Sequence, residues 1–235
     1  MKPIIYSSLI LMLLFSCKGE KTQTVVDGAN AAVSATEDMA KKAMSEVVGS
    51  VEIPAMYKGM AEDPKNVLGG LSVGDKVENF SAKTHQGKNF ELNTALQRGP
   101  VLFMFYRGHW CPKCTKHLAE WENYLLELKE YDISIYAITP ETEENIAKTV
   151  EKSSSSFPII YDKDQSIMEN FKVLYKVRDD YVPNLEKNHG QDEAFLPVPA
   201  TYLIGEGGKI LYSHYDHDYG NRASIQEVLA VLENY

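Results

Sequence analysis

Cys111 and Cys114, with two residues between them, are the side chains of this chain whose spacing points most directly to chemistry. They follow a strand-like apolar run, Val101 to Tyr106, and lie at the start of a helix-like run over about 112–130. A helix N-terminus lowers a thiol pKa through its free N–H groups and the positive end of the helix dipole. The thiolate is the reactive species, so this placement predicts a pair that opens and closes a disulfide.

Four neighbouring residues are expected to support the pair. Arg107 follows the strand and Lys113 lies between the cysteines, where each positive charge favours a thiolate; a solvated surface position is the alternative for both. Trp110 precedes the first cysteine and is expected to provide a packing and recognition surface. Pro112 suits the first turn of a helix, because the N–H that it lacks has no partner there.

The N-terminal residues predict export. Residues 1–16 begin with a lysine and continue in an apolar run, which is typical of a signal peptide and shorter than the roughly 20 residues that span a bilayer. Cys17 follows a small residue at the end of this run, and the pattern resembles the cleavage box of bacterial lipoproteins. That resemblance implies lipid on Cys17 and an extracytoplasmic, membrane-anchored protein that faces the periplasm. The alternatives are a plain secretory signal or a buried cysteine.

The composition narrows the function classes further. Of the 235 residues, 44% are apolar, which is enough for a packed core. The formal net charge is −9 without a basic cluster, which argues against nucleic-acid binding and against electrostatic attachment to a membrane. There are three cysteines, so with Cys17 lipidated the other two have only each other as partners. A disulfide loop this short adds little stability, which favours a redox role.

The chain is expected to form two parts after the signal peptide. Residues 17–66 are rich in Ala, Ser, Thr, Lys and Glu and predict a helical or flexible tether, with a short coiled-coil contact as the alternative. Residues 67–235 are expected to form one compact domain, of class α/β, with a mixed sheet flanked by helices and an N-terminal hairpin.

The elements of this domain follow from periodicity and turn residues. The apolar periodicity is absent over residues 173–195, and we interpret this segment as a long insertion. The expected order is a hairpin (77–80 with 89–92), a strand (100–106), a helix (112–130), a strand (132–139), a helix from Thr139-Pro140-Glu141, a strand (157–161), a helix (165–171), a second hairpin (200–204 with 209–212) and a last helix opened by a capping box at Ser224 and Glu227.

Two separated segments resemble thioredoxin-fold proteins. They are residues 105–114, with Trp110 before the first cysteine, and residues 197–204, where Pro199 matches the cis-proline that faces the thiols in that fold. The stretch from about Leu71 to the C-terminus is most similar to the alkyl hydroperoxide reductase/thiol-specific antioxidant family, which includes the peroxiredoxins. The narrower likeness is to a branch with Phe-Tyr-Arg-Gly-x-Trp-Cys-Pro-x-Cys and, here at Leu196 to Tyr202, Leu-Pro-Val-Pro-Ala-Thr-Tyr.

The peroxiredoxin resemblance and the thioredoxin resemblance assign the cysteines differently. Laid on the peroxiredoxin pattern, Cys114 takes the peroxidatic position, while Arg107 and Cys111 replace its proline and threonine. A thiol is a weaker hydrogen-bond donor than a threonine hydroxyl, so replacement of the threonine by Cys111 is expected to weaken peroxide activation. The thioredoxin pattern makes Cys111, the more exposed thiol, the nucleophile and Cys114 the resolving residue. We favour Cys111 toward disulfides and leave the attack on peroxide open between the two.

The resemblance implies a membrane-anchored redox enzyme that reduces hydroperoxides through Cys111 and Cys114, without a cofactor, and is recycled by an external, thioredoxin-like dithiol donor. The alternative is an extracytoplasmic reductase of protein disulfides or apocytochromes, whose substrate would pair with the backbone of Val198. A non-enzymatic binding lipoprotein is a third class.

Four further residues bear on proton transfer, metal binding and catalysis. Phe105 replaces the buried proton-accepting Asp of thioredoxins, so protons must be handled elsewhere. His109 and His117 would allow a zinc site with the two cysteines, but zinc usually joins two separated ligand pairs, and no metal is expected. No catalytic role is assigned to Arg222, which matches an arginine of the peroxiredoxin-like branch.

Overall fold

The computed structural model describes residues 69–190 and 195–235. The expected signal peptide, the lipidation site at Cys17 and the tether of residues 17–66 lie outside the described residues. Within the described ranges, no helix is both long enough and apolar enough to span a bilayer.

Strands and helices alternate along most of the described chain. The strands are β1 (Ser81–Lys83), β2 (Asn89–Glu91), β3 (Val101–Phe105), β4 (Ser134–Thr139), β5 (Ile159–Tyr161), β6 (Leu174–Lys176), β7 (Phe195–Pro197), β8 (Ala200–Ile204) and β9 (Ile210–Tyr215). The α-helices are α1 (Leu92–Leu96), α2 (Pro112–Glu122), α3 (Leu125–Lys129), α4 (Glu143–Ser153), α5 (Ser166–Asn170), α6 (Val182–His189) and α7 (Ile225–Leu232). Short 3-10 turns occupy Asp179–Tyr181 and Glu206–Gly208.

The central sheet is mixed, as expected. Its five strands lie in the order β5-β4-β3-β8-β9. The first three are parallel, and β8 and β9 add an antiparallel edge. All residues of β3 and β8 are buried, which is the pattern of strands covered on both faces.

The two faces of the sheet carry separate apolar clusters. Leu102 and Met104 of β3 pack with α2, α3, α4 and α7, and the two cysteines belong to this cluster. Phe103 and Phe105 point the opposite way and pack with α1 and α5. An aromatic group forms the centre of this second cluster, where the rings of Phe103 and Phe171 lie 5.7 Å apart, edge to face.

Several element boundaries differ from the predicted ones. The first hairpin is confirmed, but its first strand starts at Ser81 instead of Val77, with Ser81 opposite Glu91. The predicted helix over 112–130 is divided, because Tyr124 leaves helical geometry between α2 and α3. The predicted capping box is wrong: Ser224 precedes α7 without capping it, and Glu227 accepts the Tyr212 hydroxyl at 2.6 Å.

Another shift concerns the helix predicted to start at Thr139-Pro140-Glu141. Helix α4 starts three residues later, because the Thr142 side chain accepts the N–H of Asn145 and caps the helix there. Thr139 instead ends β4. Glu141 is therefore outside the helix, on the segment that leaves the carboxyl end of β4.

The predicted insertion has structure of its own. Strands β6 and β7 form a two-stranded antiparallel sheet, and α6 follows the 3-10 turn at Asp179–Tyr181. Its apolar residues pack in a third cluster with Val198. The insertion therefore lies against the start of β8, beside the part of the molecule that carries the cysteines.

We predict that Phe171→Ala lowers the free energy of unfolding by about 3–5 kcal/mol, because it empties the centre of the aromatic cluster. Phe171 is 0% exposed. Denaturant unfolding of the two proteins measures the difference. The matched control is Leu126→Ala, which removes a side chain that is 80% exposed and should change stability by less than about 0.5 kcal/mol. Equal effects of both substitutions would contradict the packing described.

Candidate active site

The cysteine pair occupies the turn between β3 and α2. Cys111 is the residue that precedes α2, and its carbonyl accepts the N–H of Cys114 at 3.0 Å. The two residues are joined by a disulfide with their Cα atoms 5.2 Å apart. Pro112 is the first residue of the helix, as predicted. Bond formation between the two sulfurs therefore needs no rearrangement of distant elements.

Both sulfurs are buried, but they differ in what they face. Cys111 and Cys114 are 2% and 1% exposed. Exposure therefore does not distinguish the two thiols, although Cys111 was expected to be the more exposed one. The difference lies in the cleft beside them, which has a volume of about 460 Å³. Its lining consists of Arg107, Trp110, Cys111, Pro112, Lys113, Tyr181 and Tyr219. Cys111 contributes to this lining and Cys114 does not.

Each sulfur has a guanidinium beside it. Arg107 Nη2 lies 3.5 Å from Cys111 Sγ, and Arg222 Nη2 lies 3.6 Å from Cys114 Sγ. Arg107 is 4% exposed, so its charge acts in surroundings of low polarity. A neighbouring cation favours the ionised form of a thiol. Arg222, to which the sequence assigned no role, is thus placed on the second sulfur.

Arg107 packs against two aromatic rings. Its guanidinium carbon lies 4.2 Å from the centre of the Tyr219 ring and 5.4 Å from that of Trp110. The same Tyr219 ring lies 4.7 Å from the Nζ of Lys113, which is exposed at the mouth of the cleft. Two cations and three aromatic side chains therefore surround the accessible face of the disulfide.

A buried carboxylate fixes the turn that leads to the cysteines. Glu141 is 0% exposed, and it accepts the His109 N–H at 2.7 Å and the Thr149 hydroxyl at 2.7 Å. Its Oε1 also lies 2.5 Å from His109 Nδ1. Burial raises the pKa of Glu141 above its usual value, while the hydrogen bonds from His109 oppose that shift.

The turn also requires glycine at position 108. Gly108 has a φ of +153°, and a Cβ there would lie 2.6 Å from Trp110 Nε1 and 2.8 Å from Glu141 Oε1. Sequence reasoning missed Glu141 because it read this residue as part of a helix. The competing capping residue, Thr142, was the signal that could have excluded it from the helix.

His189 ties the insertion to the same turn. Its Nε2 lies 2.9 Å from the Arg107 carbonyl oxygen, a geometry in which the ring N–H donates, and Trp110 Nε1 lies 3.4 Å from the same nitrogen. Burial lowers the pKa of His189 to about 4, with a smaller effect from the charge of His109. Together with Tyr181 it comes from residues 173–195, which offered no motif in the sequence.

The zinc alternative is not supported by the arrangement of its four residues. The cysteines are bonded to each other, His109 contacts Glu141, and the His117 ring packs 6.0 Å from that of Trp121. Burial and the nearby Arg222 lower the pKa of His117 to about 3. Over 69–190 and 195–235, no group of three or more His, Cys, Asp or Glu side chains converges as metal ligands.

Two expectations for residues 198 and 199 are wrong. All peptide bonds of the described residues are trans, so Pro199 is not the expected cis-proline. The backbone of Val198 is not free for a substrate, because its N–H donates to the Val173 carbonyl at 2.7 Å and the residue is 0% exposed. The insertion occupies this edge. Phe105, in the place of the thioredoxin Asp, lies in the aromatic cluster, 4.9 Å from the Phe171 ring.

We predict that the acid sensitivity of the protein depends on His189. Its pKa of about 4 in the folded state lies below the value of about 6.5 in an unfolded chain. The unfolded chain therefore takes up a proton first as pH falls through this window, and stability is lost. From pH 7 to pH 5, the wild-type free energy of unfolding should fall about 1–2 kcal/mol more than that of His189→Gln. Parallel curves in denaturant titrations would refute a buried neutral His189.

Comparison with known proteins places this geometry in a family. The sequence profile of the AhpC/TSA family matches residues 73–213. The chain is 27% identical over 142 residues to the thiol-disulfide oxidoreductase ResA of Halalkalibacterium halodurans, covering 60% of this chain and 67% of that protein.

Solved structures support the same fold. The peroxidoxin BcpB of Mycobacterium tuberculosis superposes with a TM-score of 0.56 at 22% identity, covering 70% of this chain and 97% of that one. Peroxiredoxin Q of Xanthomonas campestris gives 0.52 at 16% identity, over 66% and 90% of the two chains. The mixed sheet is thus the thioredoxin-like one that the sequence predicted. The matched stretch includes both cysteines of the disulfide, and the chain belongs to the AhpC/TSA family of peroxiredoxin-like, thioredoxin-fold oxidoreductases.

Proposed function

We propose that the protein reduces small hydroperoxides, with Cys111 as the attacking residue and Cys114 as the resolving one. The observation that carries the proposal is the position of Cys111 in the lining of the cleft, with its Sγ 3.5 Å from the buried Arg107 guanidinium. An external dithiol donor returns the disulfide to two thiols. Export and anchoring through lipidated Cys17 remain part of the proposal and rest on the signal-like residues 1–16.

The chemistry balances in two steps. The Cys111 thiolate attacks the terminal oxygen of ROOH; the O–O bond breaks, the sulfur becomes a sulfenic acid, and RO⁻ leaves and takes a proton as ROH. The Cys114 thiol then attacks the sulfenic sulfur, which forms the disulfide and releases water. Arg107 is positioned to stabilise both the thiolate and the negative charge that develops on the leaving oxygen.

The closed edge at Val198 supports a small substrate over a protein. A peptide that pairs with the backbone there would have to displace the hydrogen bond to Val173 and the buried insertion. A hydroperoxide needs only the cleft, whose volume of about 460 Å³ suits a small molecule.

Reduction of protein disulfides or apocytochromes is the second candidate. The Cys-x-x-Cys pair and the similarity to a protein named thiol-disulfide oxidoreductase favour it. A thiolate at Cys111 would attack a substrate sulfur, and Cys114 would then release the substrate as a thiol. The two candidates use the same residues in the same order and differ in what enters the cleft.

We predict different single-turnover behaviour for the two serine variants. Reduced Cys114→Ser should consume one equivalent of hydroperoxide and stop as a Cys111 sulfenic acid, which dimedone traps and mass spectrometry locates. Reduced Cys111→Ser should react much more slowly, because its remaining sulfur does not line the cleft.

Stopped-flow tryptophan fluorescence of the reduced wild-type protein supplies the comparison of substrates, since Trp110 adjoins the pair. Mixing with hydroperoxide should give a fast change, and mixing with oxidised insulin a slow one. The opposite order of rates would replace the peroxidase proposal by the disulfide-reductase one. Faster sulfenic acid formation in Cys111→Ser would reverse the assignment of the cysteines.

We also predict that Arg107→Met slows Cys111 chemistry without unfolding the domain. Loss of the cation should shift the alkylation profile of reduced Cys114→Ser to higher pH and lower the iodoacetamide rate at pH 7 by about ten-fold. Circular dichroism monitors the fold. The control is Arg98→Met, an exposed cation away from the cleft, whose profile should match the parent. An unshifted profile in Arg107→Met would remove this residue from the mechanism.

A further inference from the structure

The cleft beside Cys111 is positively charged in a chain that is strongly acidic overall. The formal net charge is −9, yet the seven residues that line the cleft include Arg107 and Lys113 and no Asp or Glu. A positively charged cleft in a negatively charged protein attracts anions to the place where the Cys111 sulfur is accessible.

Within the part of the chain that the structure describes, neither cation has a carboxylate as a direct partner. Among the described residues, Arg107 and Lys113 form no ion pair within 4.0 Å, and the buried Arg107 Nε has no hydrogen-bond partner. Asp218 Oδ1 accepts the N–H of Gly220 at 2.8 Å; it lies near the Lys113 side chain, but beyond ion-pair distance and outside the lining of the cleft. A charge held at low polarity without a counter-ion gains most when an anion arrives.

The two cations occupy different depths. Arg107 is 4% exposed and is directed at Cys111 Sγ, whereas Lys113 is exposed at the mouth and rests on the outer wall with its Nζ 4.7 Å from the Tyr219 ring. A side chain at Gly220 would collide with this Nζ, so the loop after β9 packs closely around it. Arg107 therefore contacts the sulfur, whereas Lys113 can bind a charged group at the end of a substrate that lies farther from the sulfur.

The walls between these cations are aromatic. Trp110 and Tyr181 lie with ring centres 6.3 Å apart, and Tyr219 completes the lining. Flat apolar surfaces of this kind bind an aromatic or branched apolar body and not a hydrated one. The arrangement thus offers, in order from the mouth, a cation, an apolar slot and the reactive sulfur.

We propose that this cleft selects hydroperoxides that carry a carboxylate on an apolar body, with Lys113 as the residue that binds the carboxylate. The inference rests on the proposed reduction of hydroperoxides at Cys111 and names the substrate class of that site. Lys113 acts on specificity and not on the bond-breaking step, which belongs to Arg107 and the two cysteines.

The test compares cumene hydroperoxide with its para-carboxy derivative, which differ by one carboxylate. The wild-type protein should favour the carboxylate in kcat/KM by about 3- to 10-fold, the range for one partly exposed charge pair. Lys113→Gln should bring this ratio to about one, and Lys113→Arg should restore it. The preference should also weaken as ionic strength rises.

The matched control is Lys116→Gln, one turn along the same helix. Lys116 is 79% exposed and lies 3.6 Å from Glu120, outside the lining of the cleft, so its loss should leave the ratio at the wild-type value. An equal drop in Lys113→Gln and Lys116→Gln would reduce the effect to overall charge and overturn the assignment of Lys113.

A binding measurement separates this inference from the proposed function. Cumyl alcohol and its para-carboxy derivative, the products of the two substrates, are titrated against the oxidised protein while tryptophan fluorescence is followed. The carboxylate should bind about 3- to 10-fold more tightly, and Lys113→Gln should remove the difference. Equal binding overturns the inference even if both peroxides are reduced. Selective binding without peroxide reduction keeps the anion site and rejects the peroxidase.

Discussion

The buried guanidinium of Arg107, 3.5 Å from Cys111 Sγ, is the interaction around which the active site is organised. A charge that is 4% exposed and lacks an ion pair in the described ranges is costly to hold in place, so its neighbours must compensate. Two aromatic faces do so electrostatically, through Trp110 and Tyr219. His189 binds the carbonyl of the same residue and thereby fixes where the strand end turns toward the helix.

The insertion over residues 173–195 shapes the surroundings of the cysteine pair. It brings Tyr181 to the cleft wall and His189 to the turn, and it also closes the edge at Val198. One segment thus completes a wall of the cleft and covers the backbone at Val198. In the proposed function, this packing of β6, β7 and α6 favours a small substrate over an extended peptide.

A second buried polar group acts on the other side of the same turn. Glu141 binds the backbone and the ring of His109, and this leaves room at position 108 only for glycine. A carboxylate buried with its hydrogen bonds satisfied gives a turn that is rigid in one arrangement. The cysteines are therefore presented by a turn that is held from α4 through Thr149 and from α6 through His189.

Much of the fold could be predicted from the sequence, because apolar periodicity and turn residues are local signals. They predicted the mixed sheet, the first hairpin with its first strand placed four residues too early, the strand before Cys111 and both partners of the late hairpin. Helix boundaries were less accurate. The start of α4 depended on which of two threonines caps it, and the break at Tyr124 has no marker such as glycine or proline.

The sequence by itself determined the chemistry of the site, since two cysteines at this spacing before a helix fix the redox pair and place Arg107 and Lys113 within a few residues of it. Only the tertiary structure decided which sulfur faces a cleft, that Glu141 and His189 hold the turn, that Arg222 reaches Cys114, and that Val198 is covered. The reason is physical: these contacts join residues that are far apart in the sequence, and packing of whole elements brings such residues together without leaving a pattern in the chain.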